Sequence, residues 1–239
     1  MSDTGPRTQA PAAPEPDGLP APPRLRDYTK LPLVIIAAMF VAGAVLYPSI
    51  PSPIPTHWGL SGAADAWSVK SLGSVFFEPL IALGLYALLV VVPYFDPKRR
   101  SLKLSFRAYN ILIDAAVAMQ AVVYAATLIA AYNAGFDVSK VVLISVGLLF
   151  AVIGNYMTTV KQNWTFGVRV SWTLADEVVW RKTNRLGGYL FVGAGIITVV
   201  CAFLPPPANF VIMLGSMFAI LAVTYGYSYL LFRSRHPEA

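Results

Sequence analysis

The sequence predicts an all-α membrane protein: a bundle of six transmembrane helices with an ordered outer loop and a short cytoplasmic interfacial helix. Of its 239 residues, 56% are hydrophobic and 13% are charged, a composition that would give a soluble domain an aggregating surface. Six apolar runs recur along the chain, and the basic residues gather in alternate loops between them. The composition therefore indicates a protein whose apolar surface lies in a lipid bilayer.

Each apolar run holds about the ~20 residues that a helix needs to cross a hydrocarbon layer of ~30 Å. The runs are Leu31–Ile50, Leu72–Phe95, Ala108–Tyr132, Val141–Val160, Leu186–Leu204 and Asn209–Phe232. The first lies behind a thirty-residue tail and continues for a full span, which is typical of an uncleaved anchor rather than a signal peptide. Cys201, the single cysteine, lies in the fifth run, where no intramolecular disulfide can form and a small buried side chain is expected.

The basic residues predict the orientation. When the loops alternate between the two sides, sixteen of the eighteen lysines and arginines fall on one side, and only Lys70 and Lys140 fall on the other. Short loops rich in Lys and Arg remain in the cytoplasm, so we expect both termini there. The net charge of +6 is spread over four juxtamembrane segments, which favours contact with anionic lipids in the bilayer over binding to nucleic acid.

Composition divides the chain into three parts. Residues 1–30 contain seven of the nineteen prolines and no apolar periodicity, which predicts a disordered, Pro-rich cytoplasmic tail. Residues 31–133 form an N-terminal membrane module with three spans and an outer loop at 48–71. Residues 134–239 form a second module with three spans and a cytoplasmic loop at 161–185.

The outer loop is longer and stiffer than a connector needs to be. Its four prolines, from Pro48 to Pro55, exclude helix and favour an extended strap. Gly59 and Gly62 permit a tight turn that would return the strap on itself. The candidates for binding a ligand on this side are His57, Trp58, Gly59, Gly62, Asp65, Trp67 and Glu78.

Three interpretations of this loop remain open. It is a binding surface for an extracellular ligand, or its tryptophans rest at headgroup depth beside an ordinary hydrogen bond between His57 and Asp65, or it is a weak metal site. One imidazole with one carboxylate is a poor set of metal ligands, so the metal site ranks last. We expect no metal and no cofactor.

The cytoplasmic loop predicts a short helix from Leu174 to about Arg185. Thr173 followed by Asp176 resembles a capping box, and acidic residues favour the start of a helix. Gly187 and Gly188 would let the chain bend into the fifth span, and the glycines at the start of that span indicate close helix packing or local unwinding.

This region contains several recognisable motifs, namely Gly154–Met157, Asn163, Phe166–Arg169, Trp172–Leu174 and Val179–Gly188. Together they resemble the signature of the SdpI family, bacterial membrane proteins named after an immunity factor. The outer loop, with Ile54–Gly59, Gly62, Asp65 and Trp67, is similar to the uncharacterised module that often precedes this signature. One position departs from the pattern, because Asn184 stands where the family usually has histidine, and an amide cannot titrate.

The resemblance implies a multi-pass protein of the bacterial cytoplasmic membrane that recognises a toxic peptide or envelope ligand and protects the cell or signals. Its expected partners are an extracellular peptide, a cytoplasmic regulator and further copies of the chain. The candidates for the cytoplasmic surface are Asn155, Asn163, Gly167, Arg169, Trp172, Thr173, Trp180, Arg181, Lys182 and Arg185.

Two carboxylates inside the spans leave other functions open, because such groups are costly at bilayer depth. Asp114, near Asn110 and Gln120, either forms an inter-helix hydrogen bond or marks a proton- or ligand-linked site; Glu78 either reaches the interface or serves an outer pocket. The alternative function is a small secondary transporter or flippase-like protein that uses these groups. An intramembrane enzyme ranks third, and since no catalytic motif is recognisable we expect no enzyme.

Overall fold

A computed structural model describes residues 21–238. Within that range it confirms the predicted helical fold and adds one β-hairpin. The helices are α1 (Leu31–Leu46), α2 (Leu72–Val91), α3 (Arg99–Leu104), α4 (Phe106–Tyr132), α5 (Val138–Met157), α6 (Ser171–Ala175), α7 (Glu177–Cys201) and α8 (Ala208–Arg235). The antiparallel strands are β1 (Ile54–Trp58) and β2 (Ala64–Ser68), and short 3-10 turns occupy Leu25–Asp27 and Val92–Phe95.

Five of the described helices are long and apolar enough to cross a membrane, namely α2 with the turn that follows it, α4, α5, α7 and α8. The sixth apolar helix, α1, has 16 residues and a length of about 24 Å at ~1.5 Å per residue. It ends at Leu46, before the expected Ile50, because Pro48 and Pro51 have no amide hydrogen with which to continue the helical hydrogen bonding.

The connections between spans lie on two opposite faces of the bundle. We call one the hairpin face, because it carries the hairpin together with the turns after α4 and α7. On this face the Ser139 hydroxyl donates to the Gly62 carbonyl at 3.2 Å, and a Cβ on Gly62 would lie 3.2 Å from Pro206. The opposite, terminal face carries the segments 92–105 and 158–176 with both described chain ends. The alternation predicted from hydropathy is therefore present.

Helix α4 joins the two halves of the bundle by packing on α1 and α2 on one side and on α5 on the other. The main hydrophobic core lies between α1, α2 and α4, where Ile113 and Val117 are completely enclosed. Helix α5 packs chiefly on α7, which in turn packs on α8. This arrangement leaves α2 and α8 on either side of a gap, which is described below.

Glycines allow α5 and α7 to pack backbone against backbone. A Cβ on Gly154 would lie 2.5 Å from the carbonyl oxygen of Gly188, and a Cβ on Gly147 would lie 2.7 Å from that of Gly195. Close packing, one of the two alternatives for the glycine-rich start of the fifth span, is therefore present. Local unwinding and a bend at Gly187–Gly188 are wrong, since α7 runs through these residues without interruption.

The predicted helix from Leu174 to Arg185 also needs correction. The chain forms α6 up to Ala175, breaks at Asp176, and starts α7 at Glu177. Asp176 has extended backbone, and its carboxylate accepts hydrogen bonds from the amides of Val178 and Val179. A helix cap of this kind belongs to the following helix, so the first turns of α7 continue directly into the span.

The end of the N-terminal tail is ordered, contrary to the prediction of disorder up to Lys30. Tyr28 is buried; its hydroxyl donates to the Val90 carbonyl at 3.0 Å, and its ring packs edge-on to that of Phe106. Thr29 donates to the Asp114 carboxylate. These contacts offset the entropy of ordering a segment that has no periodicity of its own. The part of the prediction that concerns residues 1–20 lies outside the described residues.

Candidate functional site

The hairpin brings the predicted outer residues together. Gly62 has a φ of +79°, which favours glycine, and the Gly59 amide donates to the Ala63 carbonyl to close the turn. In the strand register His57 lies opposite Ala66, with a bulge on either side. The expected return of the strap toward Asp65 is thus achieved by antiparallel pairing, which the proline-rich sequence did not predict.

His57 and Asp65 form a close pair on the exposed side of the hairpin. Their Nδ1 and Oδ1 atoms are 2.5 Å apart, and the two side chains remain 68% and 52% exposed. Gly59 permits this approach, since a Cβ there would lie 2.6 Å from Asp65 Oδ2. Trp67 on β2 is 55% exposed. The imidazole, the carboxylate and this indole ring are therefore accessible from the hairpin face.

Other side chains fix the hairpin to the bundle. Trp58 packs against a small cluster that contains Ala130 and Val138, so it anchors β1 rather than facing solvent. The Lys70 ammonium donates to the Ile50 carbonyl at 2.8 Å and lies over the Tyr47 ring, which closes the base of the hairpin. The other cation of this face, Lys140, pairs with Asp137 at 3.3 Å.

Glu78 lies at a cavity of about 560 Å³ between the hairpin and the start of α2. Pro55 and Val69 line it on the hairpin side, and Thr127 on α4 donates to Glu78 Oε1 at 2.9 Å. No cation among residues 21–238 forms an ion pair with this carboxylate. Glu78 thus lines a cavity on the hairpin face, and its role in an outer pocket stays a prediction.

On the terminal face, the motif residues stabilise the segment between α5 and α7 (residues 158–176), which we call the signature loop. Asn163 is fully buried, and its side-chain oxygen accepts from the amides of Thr165 and Phe166 at 2.8 Å. Thr173, also fully buried, accepts from the Val170 amide and donates to the Val168 carbonyl. Each side chain forms hydrogen bonds with backbone groups that have no helical or strand partner in this irregular segment.

Asn184 on α7 fastens this loop to the bundle. Its Oδ1 accepts from the Val168 amide at 2.8 Å, and its Nδ2 donates to the Trp180 carbonyl at 3.0 Å. Gly167 passes so close that a Cβ there would lie 2.7 Å from Asn184 Oδ1, and its φ of +116° also favours glycine. At the position where the family usually has histidine, the amide therefore acts as a structural bridge.

Trp180, Asn163 and Thr173 do not belong to a surface, contrary to the prediction. Trp180 is 1% exposed and donates from its indole nitrogen to the Val160 carbonyl at 3.0 Å. Trp172 is half-buried, donates to Ser228 Oγ and packs edge-on to Tyr225 and Tyr229. The candidates that remain exposed are Asn155, Arg169, Arg181, Lys182 and Arg185.

Sequence reasoning missed Asp96, which links the two loops of the terminal face. This buried carboxylate accepts from the Trp164 amide at 2.9 Å, from the Thr165 hydroxyl at 2.6 Å and from the Lys98 amide at 2.7 Å. Its position directly after the second apolar run suggests only a solvated turn. The signal available was indirect: a carboxylate beside a membrane span needs nearby donors.

The intramembrane carboxylates lie near opposite ends of the bundle. Asp114 accepts from Thr29 of the segment before α1, close to where Asn110 donates to the Asp27 carbonyl at 3.0 Å. Glu78 has its own partner at the hairpin end. Within residues 21–238, no three His, Cys, Asp or Glu side chains are grouped as metal ligands would be.

Two family models match the chain in the order that the motifs predict. Residues 34–83 match the domain of unknown function DUF1648, and residues 159–228 match the SdpI/YfhL protein family. The first match contains the hairpin, and the second contains the buried signature loop and most of α7 and α8. No curated protein and no solved structure is significantly similar to the chain. The chain therefore contains a segment similar to the SdpI/YfhL family, preceded by a segment similar to DUF1648.

Proposed function

We propose that this protein is a membrane immunity or sensor protein that recognises an extracellular toxic peptide at the hairpin and thereby protects the cell or signals. The match of residues 159–228 to the SdpI/YfhL family suggests a membrane immunity protein. The observation that carries the finer proposal is the exposed pair of His57 and Asp65 beside Trp67, on a hairpin anchored to the bundle. An anchored hairpin with exposed polar and aromatic groups is a pre-formed recognition surface.

The cavity at Glu78 extends this surface toward the membrane. Within residues 21–238 its carboxylate has a hydroxyl partner but no cation, so a lysine, an arginine or the amino terminus of a peptide would supply the missing charge. The exposed Phe77 and Val69 at the same cavity would contact apolar side chains of the peptide. The hairpin face is therefore suited to a peptide that is both apolar and cationic.

The proposal requires the hairpin face to lie outside the cell. The distribution of basic residues supports this orientation, because Lys70 and Lys140 are the two cations of that face and both have partners there. Cysteine labelling in whole cells tests it, in a Cys201→Ser background. We expect Trp67→Cys to react with an impermeant maleimide and Arg181→Cys to react only after permeabilisation. Reaction of both in intact cells would contradict the orientation.

Rescue from a toxic peptide tests recognition. We expect deletion of the gene to sensitise the producing cell to a peptide encoded beside it, and the double variant His57→Ala and Asp65→Ala to abolish rescue at unchanged membrane abundance. The matched control is Asp137→Asn with Lys140→Gln, which removes another exposed ion pair from the same face while keeping a helix cap. Full rescue by the first double variant would overturn the role of the hairpin.

A further inference from the structure

A second cavity, unrelated to the hairpin, opens between the two halves of the bundle toward the terminal face. Its volume is about 820 Å³, which lies within the ~300–1,000 Å³ of ligand pockets. Helices α2 and α4 form one wall, and α5, α7 and α8 form the other. Most lining side chains are aliphatic, such as Leu89, Ile113 and Ile153, and residues 165–170 close one end.

Two side chains that line the cavity are also exposed on the outer surface of the bundle. Leu88 on α2 and Leu221 on α8 are 57% and 53% exposed. Both helices qualify as membrane spans, so the exposed apolar side chains of their outer surfaces face lipid. An acyl chain can enter such a gap from the bilayer without passing through water.

Among the described residues that line the cavity, Arg169 is the only charged one. It is exposed at the rim and donates to the Trp164 carbonyl, and no carboxylate among residues 21–238 pairs with it. A guanidinium can donate several hydrogen bonds to one phosphate group. The rim therefore presents, immediately beside an apolar cavity, a cation that has no counter-ion within residues 21–238.

A neighbouring depression of about 640 Å³ shares Arg169 with this cavity. Trp164, Trp172 and Tyr225 also line it, and aromatic side chains of this kind are enriched at the level of lipid headgroups. From the bundle interior to the terminal face, the site therefore consists of the aliphatic cavity, then the Arg169 guanidinium, and then the aromatic side chains of the depression. This is the order of acyl chain, phosphate and headgroup in a phospholipid.

We propose that this site binds one phospholipid with a net negative headgroup, with an acyl chain between α2 and α8 and the phosphate at Arg169. The anionic class follows from charge complementarity, because a headgroup that carries its own ammonium would place a second cation near the unpaired guanidinium. The bound lipid would fill the gap between the halves of the bundle, and it would contact the signature loop at its residues 165–170.

Native mass spectrometry of the full chain, extracted from nanodiscs of equal phosphatidylglycerol and phosphatidylcholine, tests the proposal. We expect one retained lipid with phosphatidylglycerol strongly enriched. Arg169→Gln should lower that enrichment about tenfold, as expected for the loss of a charged hydrogen bond. Arg169→Lys should keep most of it. Arg181→Gln, which removes an exposed cation outside the cavity, should leave it unchanged.

A filling substitution tests the apolar part separately. Ala116→Phe, which points a ring into the cavity lining, should reduce the retention of both lipids, with the unfolding temperature reporting that the protein remains folded. Three results would overturn the proposal: retention of the two lipids in their bulk ratio, equal losses in Arg169→Gln and Arg181→Gln, or a lipid-free dimer. Rescue from the toxic peptide is a separate readout, so failure here would leave the proposed function intact.

Discussion

His57 Nδ1 lies 2.5 Å from Asp65 Oδ1 across the hairpin, with Gly59 directly beside the same carboxyl group. Exposed pairs of this kind contribute only about 0–1 kcal/mol to stability. The hairpin is instead held by backbone pairing, by Trp58 and by Lys70. Changes at the pair should therefore alter the recognition surface without unfolding it.

Gly59→Ala tests the position of Asp65 without changing any charge. The added Cβ would lie 2.6 Å from Asp65 Oδ2, so the carboxyl group must move away and its contact with His57 should weaken. We expect reduced rescue from the toxic peptide, and a change in the His57 ring signals in nuclear magnetic resonance. Gly84→Ala, where the added Cβ meets nothing within 4 Å, is the matched control. Unchanged His57 signals in Gly59→Ala would contradict the geometry.

Gly154→Ala should destabilise the bundle. Its Cβ would lie 2.5 Å from the Gly188 carbonyl oxygen and 2.7 Å from the Val192 amide nitrogen, so α5 and α7 must separate. Overpacking of this kind costs about 1–3 kcal/mol. Gly193→Ala on α7 meets nothing within 4 Å and should be neutral or stabilising, because alanine favours helix. Thermal unfolding in detergent measures both variants, and equal unfolding temperatures would refute close packing.

Hydropathy and the lengths of the apolar runs were sufficient to predict a helical membrane bundle and the alternation of its connections between two faces, because bilayer thickness and backbone hydrogen bonding allow few other arrangements. They did not predict burial within a loop. Asn163, Thr173 and Asn184 have the polarity of surface residues, but their hydrogen-bonding partners are backbone groups of the same irregular segment. Only the folded path of that segment reveals which donors and acceptors lack helical partners.

Asp96 and the lipid-facing cavity illustrate the same limit. The Asp96 carboxylate links two loops by accepting hydrogen bonds from Trp164 and Thr165, which are almost seventy residues away in sequence. The cavity arises because α4 packs on α5 while α2 and α8 remain apart, a relation that no single helix encodes. Short-range sequence patterns predicted which residues are helical. Sites that lie between helices could be recognised only from the way the helices pack in the structure.

Asn184→Ala should loosen the signature loop. It leaves the Val168 amide and the Trp180 carbonyl without their side-chain partner, and an unsatisfied buried group costs about 1–3 kcal/mol. We expect faster hydrogen exchange in residues 165–170 and a lower unfolding temperature. Asn155→Ala removes an amide that is exposed on α5 and should change stability by less than about 0.5 kcal/mol. Identical exchange in both variants would show that Asn184 does not fasten the loop.

Asp176 joins the start of α7 to the end of α8. Its Oδ1 caps α7 through the Val178 and Val179 amides, while its Oδ2 accepts from Arg235 at 2.8 Å and lies 3.1 Å from His236 Nε2. Asp176→Ala removes cap and ion pair and should cost about 1 kcal/mol or somewhat more. Asp176→Asn keeps a capping oxygen and loses the charge, so its loss should be smaller. Thermal unfolding at neutral pH ranks the three proteins.

The pH dependence of unfolding separates the ion pair from the cap. The Arg235 hydrogen bond, followed by the Val179 amide and His236, lowers the pKa of Asp176 well below its ordinary value of 3.8. The stabilisation is therefore complete above about pH 3.8 and is lost as the pH falls from there through the folded-state pKa. We expect the difference between wild type and Asp176→Asn to stay constant from pH 7 to 5 and to shrink below pH 4. A difference that persists undiminished at pH 2.5 would show that Asp176 is not stabilised as a carboxylate, because protonation would then leave its contribution unchanged.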